Sequence, residues 1–529
     1  MSFYQEIIDL ILSEDIRSKE TLHKRKMKLC KKYKLKKIPS NSDILAQVSE
    51  SVSNKQRKQL HRLLQRKPMR TISGVAIVAV MTSPAPCPHG QCIPCPGGPV
   101  FDSPQSYTGH EPAAMRAEMN DFDPFRQVHA RLKQLELIGH KTEKIDLIIM
   151  GGTFTARSPY YQDWFVKRCY DALNDETASS LAEAKRLNET AVHRCIGLTV
   201  ETRPDWFRLC HVDNALRFGA TRVELGVQSV FDDVLVQMNR GHMVSDTVMA
   251  TRIAKNAGFK ICYHLMPGLP GSDESREIET FKTIFYEDGF KPDMLKIYPT
   301  VVVKGTKLYD QWKKGLYQPL STDEAVKLVG KLVSLVPPWV RIQRIQRDVP
   351  APYIDAGVQM SNLRQLVDDY MKKNKLANNE IRARELGHLL LKEKISFEKD
   401  DILLKTEKYQ ASESTEFFIS LQLKKQNALV GYLRLRDIEQ SHRFELDNGS
   451  CMIIRELKVV GQELALGDKT SKGLQHKGFG SMLLSEAERI CVEEYDKKDL
   501  FVLSGVGVKQ YYRKYHNFDD VGYYLQKKL

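Results

Sequence analysis

Seven short apolar runs, rich in β-branched residues, recur between residues 75 and 345: VAIVAVM (75–81), IDLIIM (145–150), IGLTV (196–200), RVELG (222–226), KICYHLM (260–266), MLKIY (294–298) and VRIQRI (340–345). No other feature of the chain constrains its fold as strongly. The runs are of strand length, and the stretches between them, such as YYQDWFVKRCYDAL (160–173) and DTVMATRIAKNAG (246–258), carry helical periodicity. A repeated strand–helix unit brings successive strands side by side in parallel, so this region reads as an α/β sheet or partial (βα) barrel with its functional groups at the C-terminal strand ends. Polar residues stand at those ends: Gly151, Gly152 and Thr153; Glu201 and Arg203; Gln228 and Ser229; the turn PGLPG (267–271); and Lys296 with Tyr298.

The first run leads into CPHGQCIPCPGG (87–98), which concentrates Cys87, Cys92 and Cys95 at the expected barrel mouth. Ten cysteines in 529 residues, with one tight cluster, do not form the dense pairing of a disulfide scaffold. Structural zinc takes four protein ligands, and only three thiols are local, although His89 could supply a fourth. Three thiolates on a 4Fe-4S cube leave one iron open for a small molecule, which gives the arrangement a chemical use.

The remaining regions differ in charge and pattern. Residues 1–70 hold eighteen Lys and Arg against seven Asp and Glu, a net of +11, which is most of the +14 of the whole chain. HKRKMKLCKKYKLKK (23–37) interleaves Met27, Leu29, Tyr33 and Leu35 with cations, as a basic amphipathic helix would, and a polyanion suits it. Membrane lipid suits it less, because the apolar side has no Trp or Phe. Neither an export signal nor a spanning run of about eighteen apolar residues is present, so the cytoplasm is the expected location. Residues 356–412 read as a helical linker. A second domain, 413–529, follows, with the strands FFISLQL, ALVGYLRLR and MIIRELKVV and then QHKGFG (475–480) opening a helix. A glycine turn at a helix N-terminus presents free N–H groups to a pyrophosphate.

The loop and barrel resemble the radical S-adenosylmethionine (SAM) enzymes, with a Cys-x4-Cys-x2-Cys spacing one residue longer than the commonest form. The order strand, QHKGFG turn, helix and SGVGVKQYYRK resembles a GNAT acetyltransferase. Together with QSYTGHEPAAMRA, MGGTFTA, GLTVETRPD, HLMPGLPG and RIQRDVPAP, the chain is similar to the Elongator catalytic subunit family, the tRNA uridine(34) acetyltransferases, in its archaeal or bacterial form.

The resemblance implies a basic helical tRNA-binding segment (1–70), a radical SAM barrel (71–355), the linker and a GNAT domain. It also implies a 4Fe-4S cluster on Cys87, Cys92 and Cys95, with SAM and acetyl-CoA as further cofactors. Lys144 matches a lysine contacting acetyl-CoA. Glu456, Leu457, Lys458 and Val459 match the strand beside the pantetheine arm, and Phe479, Gly480 and Ser481 match the pyrophosphate turn. Tyr512 matches a tyrosine near the thioester, so Lys144 and Tyr512 are the expected catalytic residues. The implied reaction installs a carboxymethyl-type group at carbon 5 of the wobble uridine in a tRNA anticodon loop. It needs an electron-donor protein and admits a monomer or homo-oligomer. The absence of cysteine between Cys262 and Cys451 leaves the family's zinc site doubtful here. An alternative is a protein lysine acetyltransferase with a structural barrel.

Overall fold

The computed structural model describes residues 2–49, 51–65, 71, 73–392, 399–446, 449–460 and 478–529. Its central sheet contains β1 (Ala76–Met81), β2 (Lys144–Met150), β3 (Arg194–Thr202), β4 (Arg222–Gln228), β5 (Lys260–Leu265), β6 (Met294–Ile297) and β7 (Arg341–Ile345), in that spatial order. Every pairing is parallel. All seven apolar runs became strands because each is buried against helices such as Pro124–Leu137, Pro159–Asn174 and Val244–Asn256, whose apolar faces complete one core. The sheet curls but does not close, so β1 and β7 are edges.

A second, mixed sheet has the order β13-β14-β12-β11-β10-β9-β8. Its strands are β8 (Ile402–Gln410), β9 (Thr415–Leu423), β10 (Leu429–Ile438), β11 (Cys451–Val459), β12 (Asp499–Val502), β13 (Asp519–Val521) and β14 (Tyr524–Lys528). The sequence reading placed residues 402–410 in the linker. They instead pair along their whole length with β9, as an edge strand whose charged side chains face solvent. The terminal hairpin of β13 and β14 was also not foreseen.

The mixed sheet seats on the N-terminal ends of the barrel strands, and the contact is ionic and buried. Arg455 on β11 donates to both oxygens of Asp293, at 2.7 and 2.6 Å, and to Glu416 at 2.6 Å. Lys255 donates to Glu416 at 2.9 Å, and Arg436 joins at 3.0 Å. Gly505 lies so close to β3 that a Cβ there would sit 2.1 Å from the Ile196 carbonyl oxygen, so no larger residue fits.

Residues 1–65 form a small helical module, Phe3–Leu12, Lys19–Lys32, Asn41–Leu45 and Asn54–Leu64, with its own core around Ile7, Ile11, Leu29, Ile44 and Leu60. Leu29 is buried as the amphipathic pattern requires. Met27 and Leu35 are 44% and 39% exposed, so the apolar stripe is narrower than the sequence suggested. His23, Lys24, Arg25, Lys28 and Lys31 cover the outer face of the second helix.

Candidate functional site

Alternate residues of the barrel strands face one side of the sheet, and a cavity of ≈1420 Å³ follows that inner face. Along β4 it touches Arg222, Glu224, Gly226 and Gln228 in turn, about 20 Å of strand at 3.3 Å per residue. Cys87, Cys92 and Cys95 line its C-terminal end. Leu457, Lys458, Ser504 and Tyr512 of the second sheet line the other. The cysteine loop and part of the expected acetyl-CoA site, Glu456, Leu457, Lys458 and Tyr512, therefore share one cavity, whereas Lys144, Val459, Phe479, Gly480 and Ser481 do not line it.

At the cysteine end, the loop is held by side chains reaching in from the barrel. Gln105 accepts from the Cys87 amide at 3.0 Å, and the Ser106 amide donates to Cys95 Sγ at 3.2 Å. Arg240 Nη1 donates to Cys92 Sγ at 3.3 Å, and His89 Nε2 lies 3.1 Å from the same sulfur. Burial pushes the Cys87 thiol up and the Cys95 thiol up to about 11, so the fold alone does not make these groups thiolates.

Spacing separates the two metal readings. A closed zinc site at 2.3 Å per sulfur requires ligand atoms about 3.8 Å apart. Among the described residues, these cysteines belong to no group of three ligand atoms lying within 4.8 Å of one another. Three sulfurs around a shared cavity at wider spacing fit a cubane cluster. The donors from Ser106 and Arg240 are what its sulfur ligands need for support.

The middle of the cavity carries charges set into apolar strands; sequence reasoning singled out Glu201 and Lys296 but missed Glu224 and His264. Lys296 Nζ donates to Glu201 at 3.0 Å and also pairs with Glu224, which His264 contacts at 2.7 Å. Tyr107 donates to the other oxygen of Glu201 at 3.2 Å. Burial opposes ionisation of Lys296, but Glu224, Tyr298 and Glu201 outweigh it and hold the ammonium charged. Burial likewise opposes the Glu224 carboxylate and is overcome by Lys296 and His264. Glu224, Cys262 and His264 could by distance hold a cation, but the Lys296 ammonium already neutralises the carboxylate, so this is an ion-paired wall. The signal available in sequence was a polar residue in the middle of each of RVELG and KICYHLM, Glu224 and His264.

At the far end, β11 and β12 diverge. They pair in parallel from Cys451 with Asp499 to Ile454 with Val502. Beyond that point β11 continues to Val459 against β10 alone. The β12-facing edge of residues 456–459 thus offers backbone groups that no strand of the sheet takes up. Tyr512 is buried beside this opening, and burial raises its phenol so that it stays a neutral donor.

The glycine turn expected to meet a pyrophosphate is described from Gly478, whose φ of 81° permits the αL start of the helix Phe479–Arg489. Gln475, His476 and Lys477 lie outside the described residues. Phe479 packs into the second core, Tyr511 bonds Ser481, and a Cβ on Gly480 would meet the Tyr511 hydroxyl at 2.6 Å. Lys144 begins β2 at the barrel base, in register with Arg194, and neither it nor Val459 is among the cavity's lining residues.

Comparison with known proteins fits this two-ended architecture. Family models match at residues 1–72 (ELP3 N-terminal domain), 87–284 (Radical SAM superfamily) and 292–373 (Radical_SAM C-terminal domain). The tRNA uridine(34) acetyltransferase of Methanocaldococcus jannaschii is 49% identical over 99% of this chain and 97% of its own length. Elongator complex protein 3 of Homo sapiens is 42% identical over 96% of this chain and 92% of its own. The chain belongs to the Elongator complex protein 3 family. A solved structure of the archaeal Methanocaldococcus infernus Elp3 with an N-terminal deletion (1-46) matches with a TM-score of 0.77 at 46% identity, covering 87% of this chain and 100% of that one. As in that family, a radical SAM half-barrel is followed by an acetyltransferase-type mixed sheet. Among the described residues, no helix is long and apolar enough to cross a membrane.

Proposed function

We propose that this protein modifies the wobble uridine of tRNA, joining the methyl carbon of acetyl-CoA to carbon 5 of the base. The observation that carries this reading is the single cavity with the three-cysteine loop at one end and the β11–β12 opening at the other. A lysine acetyltransferase has no use for that connection, because its acceptor amine reaches the thioester from solvent.

Cys87, Cys92 and Cys95 would hold a 4Fe-4S cluster, with SAM beside the Gly151–Thr153 turn. When bound, they supply a radical able to take hydrogen from an unactivated methyl group, a step no side chain can perform. The residues of the chain do the rest. Leu457 to Val459 offer an open strand edge to the amides of the pantetheine arm, and the first-turn amides of the helix that starts at Phe479 face the pyrophosphate. Tyr512, neutral and buried, would donate to the thioester or to the departing thiol. The ion-paired wall of Glu201, Lys296 and Glu224 keeps fixed charges in a site where water would quench a radical. Overall, one methyl hydrogen would end on 5′-deoxyadenosine, the methyl carbon would bond to uridine carbon 5, the C5 hydrogen would leave as a proton while one electron returns to the donor that supplied the cleavage of SAM, and hydrolysis of the thioester would release coenzyme A and leave a carboxymethyl group. The exposed basic face of the N-terminal module supplies the phosphate-binding surface for the tRNA body.

The test is the fate of the methyl hydrogens. With methyl-deuterated acetyl-CoA, SAM, tRNA and a reductant, 5′-deoxyadenosine should carry one deuterium, and Cys92→Ala should yield none. Fully labelled acetyl-lysine on a protein, with unlabelled 5′-deoxyadenosine, would establish the lysine acetyltransferase instead.

A further inference from the structure

Because the barrel sheet is open, β1 and β7 each leave one edge without a strand partner. Both edges are capped by side chains. On β1, Gln127 accepts from the Met81 amide and donates to its carbonyl, and Arg116 Nη2 donates to the Ala79 carbonyl at 2.8 Å. On β7, Glu380 accepts from the Ile342 amide, Arg364 donates to the Ile342 carbonyl at 3.0 Å, and Arg382 Nη1 donates to the Gln343 carbonyl at 2.9 Å. Arg116, Arg364 and Arg382 all line the cavity, so guanidinium groups stand on both sides of its lateral opening.

These arginines differ in what neutralises them. Arg364 is paired with Glu380 at 2.6 Å. Among the described residues Arg116 and Arg382 pair with no carboxylate, and their side chains bond only to carbonyls. Arg116 Nε is buried with no partner at all. Burial, and then a neighbouring guanidinium, pulls each of the two down to about 10. A desolvated cation with no bonded carboxylate is costly; Glu380 and Glu385 offset part of that cost at Arg382, and an anion arriving through the opening would offset the rest.

We propose that Arg116 and Arg382 form a clamp for RNA phosphodiesters, one on each side of the lateral opening, gripping the backbone on both flanks of the nucleotide that enters the cavity. This rests on the tRNA reading above and adds the path by which the base reaches the site. The carbonyl bond fixes one edge of each guanidinium and leaves other N–H groups for a phosphate, the geometry for which arginine is suited and lysine is not. A base swung out of a single-stranded loop needs its two neighbouring phosphates held while it is inserted. The phosphates of coenzyme A are the other source of the same chemistry. They already have the turn at Gly478 to Ser481, on the helix that packs on the second sheet.

Arg116→Gln, Arg382→Gln and the double variant keep an N–H for the carbonyl cap while removing the charge. They are to be compared with the full-length wild type for binding of tRNA and of an isolated anticodon stem-loop across a salt series, and for acetyl-CoA binding by calorimetry. Each substitution should weaken stem-loop binding about tenfold and make the log–log salt dependence shallower by about 0.7. Acetyl-CoA affinity should stay within about twofold, and Arg116→Lys should restore the salt slope more fully than the affinity. Thermal midpoints matching wild type establish that the edges remain capped. If acetyl-CoA binding weakens while RNA binding holds, the arginines serve the coenzyme. If neither changes, they are edge caps only, and in both cases the clamp is refuted while the tRNA reading stands. A wild type that binds neither RNA would instead refute the tRNA reading itself.

Discussion

The barrel is joined to the mixed sheet and to the N-terminal module in opposite ways. Against the mixed sheet it buries Lys255, Asp293, Glu416, Arg434, Arg436 and Arg455, all within bonding distance of an opposite charge, and the apolar core runs on from Val223 and Phe259 to Ile453 and Phe501. Against the N-terminal module, the contacts among the described residues include His61 with the Gly139 carbonyl at 3.1 Å, Gln65 with His140 at 3.0 Å, and Leu45 lying over Gly139. The module keeps its apolar residues for its own core. The difference teaches what each junction is for. The two halves of the cavity must keep a fixed distance, and buried charge pairs tolerate no slippage, because each demands its partner. The described contacts of the N-terminal module with the barrel are hydrogen bonds and an apolar contact, which hold it without a buried ion pair of that kind.

The sharpest break of the strong junction is Asp293→Ala. Asp293 is held well below the usual carboxylate range, because burial is overcome by Arg455, Lys255 and Arg434. Its removal leaves those cations buried and unbalanced, at a cost of about 3–5 kcal/mol. In urea titrations followed separately in the barrel and the mixed sheet, the variant should show two transitions where the wild type shows one. A single transition at the wild-type midpoint would mean that the charge network does not join the halves.

A subtler effect is expected at Lys255, fully buried and pulled down to about 8 chiefly by desolvation, against the opposing pull of Glu416. Below about pH 8 both folded and unfolded chains hold this proton. Between about pH 8 and the ordinary lysine value of 10.5 only the unfolded chain does. The unfolded state then binds more protons, so stability from this group rises with pH across that window. Lys255→Met removes the rise. Its stability relative to wild type should be highest near pH 7.5 and fall by on the order of 2 kcal/mol by pH 10. Parallel pH profiles would show that Lys255 does not titrate there.

How legible these features were in the sequence depended on burial. The seven barrel strands were visible because at least one face of each is buried, which leaves short runs rich in apolar, β-branched residues. The edge strand Ile402–Gln410 was not, because LLKTEK presents charges to solvent and reads like a linker. The cysteine loop at the cavity end was legible from three residue identities, and the helix that starts at Phe479 from the glycines before it. The ion-paired wall was hidden: Glu224 and His264 look like ordinary interruptions of a strand until the sheet curls and puts them opposite Lys296. The arginines of the open edges were hidden for a similar reason, since nothing local says that β1 and β7 will lack partners. Long-range closure, or its absence, is not written in any one segment.

The weak junction yields the smallest effect on stability. Deleting residues 1–65 removes the helical module, whose described contacts with the barrel include His61 with Gly139 and Gln65 with His140, and leaves the apolar contacts of the barrel and mixed sheet intact. Part-buried hydrogen bonds of that kind contribute about 0.5–1.5 kcal/mol each, so the urea midpoint of the remaining chain should move little, and acetyl-CoA affinity should be unchanged. tRNA binding should respond differently, because the deletion takes away most of the net positive charge of the chain. Fewer neutralised phosphates release fewer counterions, so the truncated protein should bind tRNA more weakly at low salt and with a shallower log–log slope. The anticodon stem-loop, which lacks the tRNA body, should feel the deletion much less than full-length tRNA does. Equal weakening for both RNAs would mean that the module reaches the anticodon itself, and a large fall in the urea midpoint would mean that the junction carries far more than its polar contacts.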